Sequence, residues 1–192
     1  MSDQALRQAV HQRVSAILNG AAQIFAIQGE QANMNDVAKA AGVGRATVYR
    51  YFPNRGVLLD ELTRVGVGDV DARLVSARIG QVTPEEGIAR TVRALVEVGD
   101  SFVLLTRERR RSDPQRFERQ LTQPVRQLFE RGQDNGDIRD DIASARLIEG
   151  LIGLIVGVMT STPRLGNEDM TATITGLFLD GARPRARSSP RP

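Results

Sequence analysis

Residues 33–55 read NMNDVAKAAGVGRATVYRYFPNR, and this stretch decides the fold. The spacing predicts two short helices joined by a tight glycine turn, the shape of a DNA-reading helix-turn-helix. Ala38 falls where the two helices cross and where only a small side chain fits. Gly42 follows four residues later, where the chain reverses and a positive φ carries no Cβ penalty. Val48 comes six residues further on, at the inner face of the second helix. Val37, Ala41, Val43 and Tyr51 complete the apolar side of the pair.

Both helices carry end signals. Asn33 is a good N-cap, with Asp36 placed three residues on as in a capping box. Gly44 opens the second helix. Pro53 closes it, because Phe52 before it is pushed out of the α region. The side chains left facing outward are Arg45, Ala46, Thr47, Tyr49 and Arg50. Arginine can bond guanine at two atoms, Thr and Tyr hydroxyls can bond phosphate, and alanine leaves room for a thymine methyl. The plain alternative is a helical hairpin with a solvated basic face.

From Val10 to Leu62 the chain resembles the TetR family of bacterial transcriptional regulators, most clearly in GVGRATVYRYFPNRGVLL. Two departures stand out. Gly44 takes the place of the usual capping Ser. Arg55 and Gly56 take the places of the usual Lys and the acidic residue after it. The resemblance implies an all-α fold with a DNA-binding domain over residues 1–55. It implies a helical ligand-binding and dimerisation domain over 56–181. Its DNA-contacting set maps to Arg45, Ala46, Thr47, Tyr49, Arg50, Tyr51 and Arg55, with Arg55 meeting a phosphate. It further implies a homodimer on a double-stranded operator, acting as a repressor that a small-molecule effector releases.

Composition narrows the alternatives. The chain has 192 residues and no cysteine, so disulfides, thiolate metal sites and thiol redox sensing are excluded. His11 is the only histidine and reads as a surface or packing residue. No phosphate-binding glycine loop and no nucleophile–base pair is present, which argues against an enzyme. Neither a metal nor a cofactor is expected. The chain begins MSDQALRQAV, without the apolar segment of a signal peptide. Its longest apolar run, Leu151 to Met159, is too short to span a bilayer, which takes about 20 residues. A soluble cytoplasmic protein is the expectation. Charge is uneven: Lys and Arg against Asp and Glu stand at 6 to 3 over residues 1–55, 16 to 20 over 56–181 and 4 to 0 over 182–192. A basic end on an acidic body suits a protein that turns one face to DNA.

The rest of the chain reads as helices. Val10, Val14, Ile17, Leu18, Ala21, Ile24 and Phe25 recur at helical spacing, and Gly29 ends that first helix. Asn54 caps a long helix running towards Ile79, with Gly66 and Gly68 as weak points. Thr83-Pro84-Glu85-Glu86 starts another, which breaks near Gly99-Asp100. The run Arg107–Arg111 reads as a solvated helix end. Pro124 is expected to kink or split the helix that begins at Asp113-Pro114 and ends at Gly132.

Phe102, Leu105, Phe117, Leu121 and Phe129 are candidate pocket residues, with ordinary core packing as the alternative for each. The absence of Trp and the apolar faces suggest a mostly hydrophobic effector. Control by a protein partner instead of a small molecule is the alternative reading. In a helix from Asp140 to Ser161, Gly150, Gly153 and Gly157 share one face. With Leu154, and with Ile174 and Phe178 of the last helix, they form the candidate dimer interface. Residues 182–192, ARPRARSSPRP, are rich in Arg and Pro and predict a disordered tail.

Overall fold

The structure is a computed structural model that describes residues 3–108, 114–161 and 165–184. Among these residues it is helical throughout and contains no strand. The elements are α1 (Asp3–Gln28), α2 (Met34–Ala40), α3 (Arg45–Tyr51), α4 (Arg55–Ala77), α5 (Pro84–Val98), α6 (Asp100–Arg107), α7 (Pro114–Phe117), α8 (Gln123–Asp134), α9 (Ser144–Met159) and α10 (Asn167–Ala182). Short 3₁₀ turns follow α1 and α4.

The chain divides into two compact units. The first takes the described residues of 1–68 and 99–114, and the second those of 69–98 and 115–192. The break therefore falls inside α4, thirteen positions beyond the expected residue 55, and α6 joins the first unit. The physical reason for the shift is a shared core. Leu58, Leu59 and Leu62 of α4 and Leu104 of α6 are buried with Ile17, Phe25, Val37, Val48 and Phe52. α4 is unbroken at its two glycines. Gly66 instead lets α6 approach: a Cβ there would lie 3.2 Å from Leu105 Cδ1.

In the second unit, α5 packs on α8, α9 and α10. Its start is the expected one, with the Glu86 amide donating to Thr83 Oγ1 at 3.4 Å and the Gly87 amide to the Thr83 carbonyl at 2.8 Å. Arg131 of α8 donates to the carbonyls of Ile79 and Val82 and so secures the turn before α5.

The helix is divided just before Pro124, which lies in the first turn of α8. Residues 118–122 form a π turn between α7 and α8, closed by the Gln123 amide on the Glu118 carbonyl. A wider turn moves the preceding carbonyls away from the proline ring and absorbs the missing N–H. α8 then runs past Gly132 to Asp134.

α9 starts at Ser144, not at Asp140. Gln133 Nε2 donates to the carbonyls of Arg139 and Ile142, both at 2.8 Å, which holds the intervening residues in a loop. The last helix extends one residue past Gly181. Ala182 is buried, its carbonyl accepts the Arg139 amide at 2.9 Å, and Arg183 pairs with Asp180. The beginning of the expected tail is thus tied down, and residues 185–192 lie outside the described residues.

Candidate nucleic-acid interface

The helix-turn-helix is built as its sequence dictates. Asn33 Oδ1 accepts the amides of Asn35 (2.9 Å) and Asp36 (3.2 Å), and Asp36 Oδ2 accepts the Asn33 amide at 3.4 Å, completing the capping box. The turn is closed by the Val43 amide on the Ala38 carbonyl at 3.0 Å. Gly42 sits at φ 64°, in the left-handed region that a Cβ would strain. Gly44 precedes α3 in an extended conformation and supplies no side-chain cap. Phe52 ends α3 extended, at φ −131° and ψ 92°, as a residue before proline should.

α2 and α3 are held from beneath. Val37 and Val48 are fully buried and Ala38 nearly so. A close backbone approach lies three residues beyond Ala38. A Cβ on Gly20 of α1 would meet the Ala41 nitrogen at 2.8 Å, so only glycine lets α1 cross α2 there. The mid-helix run Gly20-Ala21-Ala22 carries that signal in sequence.

With Val48 pinned, the outer face of α3 presents Arg45, Ala46, Tyr49 and Arg50, all exposed, with Thr47 half-buried. The two arginines are partly ordered by aromatic rings. The Arg45 guanidinium lies 5.3 Å from the Tyr49 ring centroid, and that of Arg50 lies 5.0 Å from Tyr51. Tyr51 itself is half-buried against the core. Its ring therefore supports Arg50 from the side of the core.

Arg55 is placed differently. Its Nη2 donates to the Gly29 carbonyl at 3.2 Å, its guanidinium lies 4.8 Å from the Phe25 ring centroid, and its Nε is buried with no partner. The side chain braces the start of α4 against the end of α1.

The remaining candidate residues separate. Phe102 and Leu105 are buried in the first unit, whereas Phe117, Leu121 and Phe129 are buried in the second. The second unit also has an open cleft of about 450 Å³ between α4 and α5, lined by Ala72, Arg73, Ser76, Ala77, Arg90, Arg93, Ala94 and Glu97. None of the five pocket candidates borders it. On α9, Gly150, Gly153 and Gly157 share an exposed stripe, and a Cβ on any of them would meet nothing within 4 Å. Leu154 is half-buried. Ile174 is fully buried and serves the chain's own core, whereas Phe178 is half-buried and packs edge-on against Phe129 with centroids 5.7 Å apart. The large apolar side chain exposed on α10 is Leu177, at 60%.

An all-helical chain with a pinned helix-turn-helix, an arginine-bearing outer face and a second helical unit defines a DNA-binding regulator of the helix-turn-helix class. Residues 17–62 match the family model described as bacterial regulatory proteins, tetR family. Those residues are a domain of that family, and along most of its length the chain is similar to transcriptional regulators. It is 27% identical over 166 residues to the HTH-type transcriptional regulator NfxB of Pseudomonas aeruginosa, covering 82% of this chain and 88% of that one. It is 34% identical over 98 residues to the HTH-type transcriptional repressor LfrR of Mycolicibacterium smegmatis, covering 50% and 49%.

Among solved structures, LfrR in complex with proflavine superposes with a TM-score of 0.67 at 21% identity, covering 90% of this chain and 97% of that one. AibR in complex with isovaleryl coenzyme A and operator DNA gives 0.66 at 18%, covering 86% and 97%. Among the described residues no helix is long and apolar enough to cross a membrane, and no three His, Asp or Glu side chains cluster as metal ligands would.

Proposed function

We propose that this chain is a repressor that binds a two-fold DNA operator as a homodimer and leaves it when a small, mostly hydrophobic molecule binds the second unit. The observation that carries the DNA reading is the outward array Arg45, Ala46, Tyr49 and Arg50 on a helix whose inner face is locked by Val48. One chain supplies one such helix, and a two-fold operator needs two, spaced about 34–36 Å or a multiple of it. A second copy supplies the other through the exposed glycine stripe of α9 and Leu177 of α10, an arrangement that closes as a four-helix bundle.

Control by a small molecule is supported by the relatives: LfrR is held with proflavine, and AibR with isovaleryl coenzyme A and operator DNA. In this chain the reading rests on Phe117, Leu121 and Phe129, all buried in the second unit, with Leu121 inside the π turn, a helical defect frequent at functional sites. Control by a protein partner is favoured by a different observation, since all three side chains are 3% exposed or less and already packed. A thermal-shift screen of small hydrophobic and aromatic compounds, with release of bound DNA as the second readout, separates the two. Compounds that raise the melting temperature and release DNA support the effector. A screen in which no compound does both favours the protein partner.

A further inference from the structure

α1 ends without a cation of its own. Its last turn holds no basic residue, yet its final carbonyls carry the negative end of a 26-residue helix dipole. Two guanidinium groups from distant parts of the chain meet them. Arg55, from the start of α4, donates to the Gly29 carbonyl. Arg107, the last residue of α6, donates through Nη1 to the Ala26 carbonyl, 81 residues away in sequence. Gly29 between them is at φ 58°, so the chain leaves α1 through a left-handed turn towards the helix-turn-helix. α6 is seated at the same place by its apolar side. Phe102, Val103, Leu104 and Leu105 are all 2% exposed or less, Leu104 joins the core beneath Val48, and Leu105 fills the space opened by Gly66. Gly99, at φ 69°, turns the chain into this short helix.

We infer that the DNA-reading unit is assembled from two separated parts of the sequence, residues up to 68 and α6, and that Arg107 is a positioning residue for operator binding. Its guanidinium fixes the end of α1, and through the Gly29 turn it fixes the capped start of α2 on which α3 rests. The inference rests on the proposed DNA reading and adds a residue outside the helix-turn-helix to it. A positioning residue has a distinct signature. Removing it weakens binding without changing how many phosphates are neutralised, whereas removing a phosphate contact flattens the salt dependence by about one unit of slope.

The test uses the full chain and two duplexes, one selected from a random pool by the unaltered protein and one unselected. Arg107→Ala is compared with Arg107→Lys by fluorescence anisotropy across a salt series. Hydrogen exchange of the amides at residues 29–34 is followed without DNA. The expected result is a fall in affinity for the selected duplex on the order of tenfold, as for loss of a charge-assisted hydrogen bond. The salt slope should be unchanged, exchange over the turn faster, and both effects partly reversed in Arg107→Lys. A lower salt slope would make Arg107 a phosphate contact and overturn the inference, as would unchanged affinity with unchanged exchange. If Arg107→Ala does not fold, Arg107→Lys is read by the same criteria. If the unaltered chain selects no duplex, the DNA reading fails by itself. The exchange of residues 29–34 then still decides whether Arg107 holds the end of α1.

Discussion

Gly153→Leu tests the dimer at the point where the geometry is clearest. Within one chain a Cβ at Gly153 meets nothing within 4 Å, so an isobutyl group has space in the monomer. Replacing a helix-interior glycine should even favour the isolated chain by roughly 0.5–1 kcal/mol. Across a two-fold interface the sign reverses. Each copy brings one added side chain into a surface where glycines allow close approach, and overpacking costs about 1–3 kcal/mol per site. Two sites per dimer give about 2–6 kcal/mol, a rise in dissociation constant of roughly thirtyfold to twenty-thousandfold. Sedimentation velocity over a concentration series, with the melting temperature measured alongside, reads both terms. The expected result is a folded monomer with an equal or higher melting temperature and weakened operator binding. An unchanged dimer refutes the assignment of this face, and an unfolded variant refutes the claim that the stripe is open.

Further outcomes follow from the site. Arg45→Ala should lose about 1–3 kcal/mol at one base position and little elsewhere, measured by binding to a panel of single-base operator variants. Arg55→Ala should lower the melting temperature, since it removes the bond to the Gly29 carbonyl and the contact with Phe25, and should leave the salt slope of DNA binding unchanged; a slope reduced by about one unit would restore the phosphate role. Asn33→Ala should cost about 0.5–2 kcal/mol in denaturant unfolding, because it uncaps α2. Truncation after Pro184 should leave melting and operator choice unchanged, whereas truncation after Gly181 should lower stability by removing buried Ala182 and the carbonyl that accepts the Arg139 amide.

Much of the first unit was legible because its signals are local. The Asn33–Asp36 box, the Gly42 turn and the Phe52-Pro53 stop each act within four residues, so spacing alone predicts them. The core side of α3 was legible for the same reason, since Val48 and the outward arginines alternate with a helical period.

What could not be read is non-local. Nothing around Arg107 announces that it reaches Ala26, and the basic run containing it reads as a solvated end. Arg55 fits a phosphate by type, and its bond to the Gly29 carbonyl and its contact with Phe25 are not legible from its neighbours in sequence. The candidate pocket mixed residues of two units because apolar periodicity gives burial but not which core a side chain enters. On α10, Ile174 and Phe178 are as apolar as Leu177. Whether they face inward or outward depends on the rotation of the helix against α5, α8 and α9.

The central claim is that α3 reads base sequence as part of a regulator. Its most direct test is competition binding at fixed salt between a duplex selected from a random pool by the intact protein and an unselected duplex of equal length. The account predicts a preference of at least about a thousandfold for the selected duplex, lost in large part in Arg45→Ala. Equal affinity for the two duplexes would contradict it.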